Sequence, residues 1–203
     1  ETVWRQADRY HVPRICFVNK MDRVGADYQR TLDMISNRLN AVPVAIFTPI
    51  GAEHEFQGVI DVINQQAIML PDEADPYTIP IPTEYRDDAA RTREAVVERI
   101  AERDDHLMVK YLDGEDISVQ ELKEALRRAT IRSSLFPVLC GTALKNKGIQ
   151  IMLDAVIDYL PSPVDVPPIQ GVHPRTQVEE TRGTQDDEPF SALAFKVVTD
   201  PYT

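Results

Sequence analysis

Ile15-Cys16-Phe17-Val18-Asn19-Lys20-Met21-Asp22 is the stretch from which the fold can be read. Its first four residues form an unbroken apolar run, introduced by Pro13 and closed by the polar cluster after Val18. Such a run predicts a strand buried on both faces, the mark of a central parallel strand. In open α/β sheets, ligands lie just beyond the carboxyl ends of the strands, which is where Asn19 to Asp22 fall. An Asn-Lys-x-Asp cluster at that place suits the edge of a guanine base. The Asp22 carboxylate can accept from two donors on one edge, the ring N–H and the exocyclic amine. Adenine presents a lone pair at that ring position and would leave the carboxylate without partners. A site built on such hydrogen bonds rejects the wrong base by roughly 10⁴-fold or more. Asn19 is expected to contact the other side of the base and to tie neighbouring loops, with the Lys20 stem along the ring face.

A second segment has the same form. Phe136-Pro137-Val138-Leu139-Cys140 is another short apolar run, followed by Gly141-Thr142-Ala143-Leu144-Lys145-Asn146-Lys147-Gly148. Ile149, Met152, Leu153, Val156, Tyr159 and Leu160 then recur at helical spacing. A strand, a tight loop of small residues and a helix make the βα turn at which backbone N–H groups point at a ligand. Thr142 and Ala143 are small enough to let the backbone approach a base, so the Ala143 N–H is the expected donor to the guanine carbonyl.

Together these segments resemble the fourth and fifth sequence boxes of the translational GTPases, and bacterial translation elongation factor G in particular. The likeness extends to Met152-Leu153-Asp154-Ala155-Val156-Ile157-Asp158-Tyr159-Leu160-Pro161-Ser162-Pro163. It also takes in Gly58-Val59-Ile60-Asp61-Val62 and Asp187-Glu188-Pro189-Phe190-Ser191-Ala192-Leu193-Ala194-Phe195-Lys196. Thr142 stands where a serine is usual in that family, and it keeps the hydroxyl. The resemblance implies a guanine site made by Asn19, Lys20, Met21 and Asp22 with Thr142, Ala143 and Leu144. It further implies GTP or GDP with Mg²⁺ as cofactors, and ribosome-dependent GTP hydrolysis coupled to movement of tRNA and mRNA in the cytoplasm. Tetracycline-resistance ribosomal protection proteins and peptide chain release factor 3 share comparable boxes and stand as alternatives.

The other half of a GTPase is missing from these residues. No Gly-x-x-x-x-Gly-Lys-Ser/Thr loop occurs in the chain, and no Asp-x-x-Gly box apart from the string Asp22-Arg23-Val24-Gly25, whose aspartate already belongs to the Asn-Lys-x-Asp cluster. Phosphoryl transfer needs that loop, its lysine and a Mg²⁺ held by Ser/Thr. The chain therefore reads as a fragment carrying the base-reading half, with no catalytic residue and no metal ligand of its own. The opening residues, with Val3, Ala7 and Tyr10 at helical spacing but no cap, and the alternating run Ser191, Leu193, Phe195, Val197 near the end agree with that expectation. A non-catalytic module that only docks a ribosomal protein is the reading of a different class.

Composition sets further bounds. With 43% hydrophobic residues, the 203-residue chain can bury a core. No apolar stretch approaches the roughly 20 residues needed to span a bilayer. Cys16 and Cys140 lie in expected core strands and read as free buried thiols. His11, His54, His106 and His173 have no metal-ligand spacing.

Charge is uneven along the chain. Residues 1–43 carry 7 basic and 5 acidic groups, whereas residues 44–136 carry 10 and 19, a net of −9. Phosphates would repel so acidic a block, which argues against direct nucleic-acid binding there and favours a basic protein partner. The predicted organisation is α/β: part of a doubly wound P-loop-type GTPase sheet (1–43 and 137–160) with an inserted α+β subdomain (44–136). A Pro-rich linker (161–189) and the first strand of a β-barrel domain (190–203) follow.

Within the insertion, a strand from Val44 to Phe47 and a hairpin of Phe56–Ile63 with Ala67–Leu70 are expected. A long helix from about Glu84 to Leu112 and a second one opened by the capping box Ser118-Val119-Gln120-Glu121 complete it. On a continuous helix Glu98, Glu102 and Asp105 fall at i, i+4 and i+7 and line one stripe. The family resemblance makes that stripe a docking site for the ribosomal stalk protein.

Overall fold

The computed structural model describes residues 1–199; Asp200 to Thr203, the end of the expected barrel segment, lie outside the described residues. Among them the chain runs α1 (Thr2–Arg9), β1 (Cys16–Val18), α2 (Tyr28–Leu39), β2 (Pro43–Ala45), β3 (Phe47–Ile50), β4 (Gly58–Asp61), β5 (Gln66–Met69) and β6 (Tyr77–Ile79). It continues as α3 (Arg86–Ala101), α4 (Asp105–Leu112), α5 (Val119–Ile131), β7 (Phe136–Cys140), α6 (Ile149–Tyr159), β8 (Ile169–Val172) and β9 (Glu179–Arg182). The result is the expected mixed α/β architecture with a parallel sheet.

That sheet has the order β1-β7-β2, both pairs parallel. β7 is central, and all five of its residues are buried. β1, expected to be central, is only half-buried and has β7 as its single strand neighbour among the described residues. An apolar run reports contact with a core but not the number of flanking strands, so the two runs look alike in sequence.

The expected strand Val44–Phe47 is two strands in two sheets. Val44 and Ala45 pair with Pro137 and Val138 in the parallel sheet, whereas Phe47 to Ile50 pair with Asp61 to Gly58 in an antiparallel sheet of order β3-β4-β5-β6. Ile46 is the seam, its N–H donating to the Val138 carbonyl at 3.1 Å and its own carbonyl accepting from Val62 N–H at 3.0 Å. The chain therefore passes from the parallel to the antiparallel sheet at Ile46, which is hydrogen-bonded to β7 and to the turn after β4. The predicted hairpin forms with Asp61 opposite Gln66. Asp61 closes its turn, Oδ1 accepting from the N–H groups of Ile63 and Asn64.

The single long helix is also two. Asp104 leaves helical geometry (φ −144°) and caps α4, its side chain accepting from Leu107 N–H at 3.2 Å. Arg128 of α5 pairs with the same carboxylate at 2.5 Å and holds its pKa below the usual value. The break places Glu98 inside α3, Glu102 at its C-cap and Asp105 at the start of α4, all three exposed. They do not form a stripe on one helix.

α5 begins at the capping box predicted for it, with Ser118 and Glu121 each bonding the other's backbone. It packs between α3 and α6 over a core that includes Leu122, Leu126, Leu135 and Leu139, each no more than 1% exposed. Burying each of these leucines contributes about 1.5–3 kcal/mol before conformational entropy is subtracted. Arg127 of α5 donates to the carbonyls of Ile157, Asp158 and Leu160 at the end of α6, where unpaired carbonyls favour a cation. On α6 itself the inward face is Ile151, Ala155 and Tyr159, whereas Leu153 and Val156 of the expected apolar side are exposed.

The chain divides after Leu160 into two compact units. The second, expected to start as a linker, contains the β8–β9 hairpin, with Ile169 opposite Arg182. Residues 190–199 have no regular secondary structure, so the expected barrel strand is not formed among the described residues. An alternating strand needs ladder partners, and none pairs with this one there. Both cysteines are free, Cys140 buried and Cys16 half-buried. No helix among the described residues is long and apolar enough to cross a membrane.

Glu121 gives this arrangement a pH signature. Its carboxylate accepts from Lys110 of α4 at 2.7 Å as well as from Ser118, and these bonds, Lys110 first, pull its pKa from 4.5 to about 2. A depressed folded-state pKa contributes stability that is fully present above the unfolded value and is lost as pH falls through the folded one. Glu121→Gln should therefore be less stable than the parent by a constant amount above pH 4.5, with the gap closing as pH falls toward 2. Urea unfolding across that range checks this, and a gap that does not depend on pH would refute it.

Candidate functional site

The parallel register of β1 on β7 sets Val18 opposite Cys140, so the polar loops after the two strands leave the sheet side by side. The ladder continues one step into them, with Gly141 N–H donating to the Val18 carbonyl at 3.0 Å and Met21 N–H to the Gly141 carbonyl at 3.1 Å. Thr142, 1% exposed, then donates its hydroxyl to Asp22 Oδ1 at 2.6 Å across 120 residues of sequence. Lys145 Nζ sits 3.2 Å from Asp22 Oδ2. Asn19 Oδ1 accepts from Lys20 N–H at 2.8 Å and from Ala143 N–H at 3.0 Å, stitching the first loop to the second.

These contacts favour the ionised form of Asp22. The Thr142 hydroxyl, followed by Lys145, holds its pKa below the usual 3.8 against the opposing effect of desolvation. The carboxylate is ionised at neutral pH and accepts only. It has about four lone-pair sites, and Thr142 and Lys145 use one on each oxygen. The remaining two suit a ligand edge carrying two adjacent N–H donors, which is what guanine offers and adenine does not.

The predicted residues separate into three groups. Asn19, Asp22, Thr142 and Ala143 converge through direct hydrogen bonds. Lys20 and Leu144 are exposed on the same loops, Leu144 at 88%, and Lys20 has a left-handed backbone with φ 64°. Met21 faces inward instead: it is 1% exposed and packs with Phe56, Val59 and Leu70, anchoring the loop from beneath. The Ala143 N–H, expected to face a base carbonyl, is taken by Asn19, because an amide donor binds the nearest acceptor.

Sequence reasoning missed three supports. Lys145 follows Thr142 by one 3₁₀ turn, a spacing from which its return to Asp22 could have been read. Gly141 is required by its surroundings, since an added Cβ would lie 2.7 Å from Phe17 Cζ and closer still to the Lys147 carbonyl. Glu53 of the insertion accepts from Gly25 N–H at 2.7 Å, and no local pattern announces it.

With this geometry in place, residues 1–162 match the model of the elongation factor Tu GTP-binding domain. The chain belongs to this family, the translational GTPases. A crystal structure of a Thermus thermophilus protein aligns with 84% of this translational GTPase chain at 30% identity and a TM-score of 0.74. The alignment covers 26% of the Thermus chain, so the chain spans about a quarter of that structure. The family implies GTP or GDP with Mg²⁺, and the acceptor set at Asp22 fits the base of that nucleotide.

Gly141→Ala should disturb the site and the fold together, because Phe17 and the Lys147 backbone cannot both move away. A destabilisation of about 1–3 kcal/mol is expected, the usual cost of overpacking, measured by chemical unfolding. A variant of parental stability would show that the two strands can spread at little cost.

Proposed function

We propose that this chain is the guanine-recognition part of an elongation-factor-G-like GTPase, which hydrolyses GTP on the ribosome in the cytoplasm to drive tRNA–mRNA translocation. The observation that carries this reading is the convergence of Asp22 with Thr142 and Ala143 at the carboxyl ends of two adjacent parallel strands. Membership of the translational GTPases supports a ribosomal setting. The runs around Asp61, Tyr159 and Phe195 support elongation factor G among its members. In the whole protein, Asn19, Lys20, Asp22, Thr142, Ala143 and Leu144 hold the base, with Met21 locking the loop below them. GTP with Mg²⁺ would supply the phosphate chemistry, and none of the residues named here is assigned to it. The exposed Glu98, Glu102 and Asp105, on both sides of the α3–α4 break, present the acidic insertion to a basic partner, the ribosomal stalk protein.

Base choice tests the reading in the full-length protein. Asp22→Asn places an amide donor where the carboxylate accepted, so preference should move from GTP toward XTP, whose base has a carbonyl in place of the amine. Each lost charge-assisted hydrogen bond costs roughly 1.5–3 kcal/mol. Parental GTP affinity in that variant would exclude Asp22 from the base site.

The 203 residues alone should bind GTP with a dissociation constant on the order of 1 mM or weaker, about −4 kcal/mol. Base contacts are present, but no phosphate-loop sequence accompanies them. Micromolar binding by titration calorimetry would show that base contacts dominate affinity.

A further inference from the structure

We propose that the inserted subdomain grips both base-reading loops, with Glu53 and Asp72 as positioning residues that set how long the nucleotide stays bound. The proposal rests on the guanine-site reading above.

The first grip surrounds Asp22. Glu53 N–H donates to the Met21 carbonyl at 2.8 Å, and Glu53 Oε1 accepts from Gly25 N–H at 2.7 Å. One residue therefore holds the loop immediately before the base-reading carboxylate and three residues after it. The Met21 side chain is buried in the same apolar cluster as Phe56, Val59 and Leu70 of the insertion. The gripping segment is held in an unusual backbone conformation. Glu53 has a left-handed backbone (φ 55°), a strained state for a residue with a Cβ that persists only where the surroundings impose it. Gly51 beside it has φ 75°, its N–H held at 3.2 Å by the Tyr85 hydroxyl, and an added Cβ would strike the Glu55 carbonyl.

The second grip holds the loop that carries Thr142. Lys147 exchanges backbone hydrogen bonds with Thr142 in both directions, at 3.0 and 3.1 Å, closing the loop on itself. Its ammonium, on a side chain 9% exposed, pairs at 3.0 Å with Asp72 of the loop after β5. That bond holds the Asp72 carboxyl below its usual pKa. Each loop that touches the base is thus backed by one acidic residue of the same subdomain.

Neither contact suits a purely stabilising role. Asp72 itself is largely exposed and contributes no core contact; what its carboxylate does is hold the nearly buried Lys147 ammonium in place. The Glu53 carboxylate is spent on one backbone N–H in a loop that makes no strand or helix. What both contacts do is fix the backbone on either side of a ligand-facing side chain. Supports of this kind tune affinity through the groups they hold. A partner that shifts the insertion would then change nucleotide dwell time without touching the nucleotide.

The test uses the full-length protein and measures dissociation of a fluorescent GDP, the affinity ratio of GDP to inosine diphosphate, and the melting temperature. Inosine diphosphate lacks the exocyclic amine and so reports how well Asp22 is aimed. Glu53→Ala should speed GDP dissociation on the order of tenfold and narrow the GDP preference, with little change in melting temperature. Glu53→Gln, which keeps a carbonyl acceptor, should recover most of both. Asp72→Ala should speed dissociation by at least about threefold, since the pair is exposed on the Asp72 side only. It carries the test should Glu53→Ala fail to fold. Parental dissociation rates in Glu53→Ala and Asp72→Ala would overturn the proposal. So would faster dissociation with an unchanged base ratio and a lowered melting temperature, the pattern of general loosening. Asp22→Asn, run in parallel, separates the two readings. If it leaves base choice unaltered the guanine site itself is wrong, whereas altered base choice beside silent Glu53 and Asp72 variants refutes only the grip.

Discussion

The parallel pairing of β1 with β7 is the constraint on which the rest depends. Each loop alone is a short polar turn of a kind found on many surfaces. Three pairs of facing residues, Cys16 to Val18 against Val138 to Cys140, bring Thr142 within hydrogen-bonding distance of Asp22 and Ala143 within reach of Asn19. A slip of one residue would turn each β1 side chain to the other face and carry the loop out of line. Gly141, with no room for a Cβ against Phe17, keeps the two chains close enough for the register to continue into the loops.

So much chain between the two strands is tolerable because the entropy of closing a loop grows only with the logarithm of its length. The insertion adds to this by folding against the sheet rather than away from it. Ile46 hydrogen-bonds to β7 and to the turn after β4, and one apolar cluster runs from Val44 and Leu139 through Ile100 and Leu126 to Tyr159. Helices of the insertion and strands of the parallel sheet thus share a core. The acidic groups are kept at its edges, where Asp104, Glu121 and Asp158 meet Arg128, Lys110 and Lys123 between helices. These pairs orient α4, α5 and α6, while the leucines between them supply most of the stabilisation.

The same distribution of roles recurs at the site. Met21 and Phe17 are core residues that place a loop, whereas Asp22, Asn19 and Thr142 present its chemistry. Burial of the Thr142 side chain makes its hydroxyl a fixed donor, and a fixed donor keeps the Asp22 carboxylate ionised and aimed. The Thr142 hydrogen bond sets the position of the carboxylate, and Lys145 reinforces it from the opposite oxygen.

The sequence by itself determined what depends on near neighbours. The apolar runs before Asn19 and Gly141, the Ser118 capping box and the β4–β5 hairpin all follow from interactions within a few residues. So did the candidate base-reading residues, because a strand followed by a polar turn is a local pattern. Tertiary structure decided the rest. The break at Asp104 was hidden because Val96, Ile100 and Leu107 stay in helical phase across it, and only the cap to Leu107 with the pull of Arg128 ends the helix. The edge position of β1, the seam at Ile46 and the inward turn of Met21 depend on which strands and side chains lie alongside. Glu53 and Asp72 reach the loops of Asp22 and Thr142 for the same reason: a hydrogen bond between distant residues leaves no period or spacing in the chain, and it exists only once packing has brought its partners together.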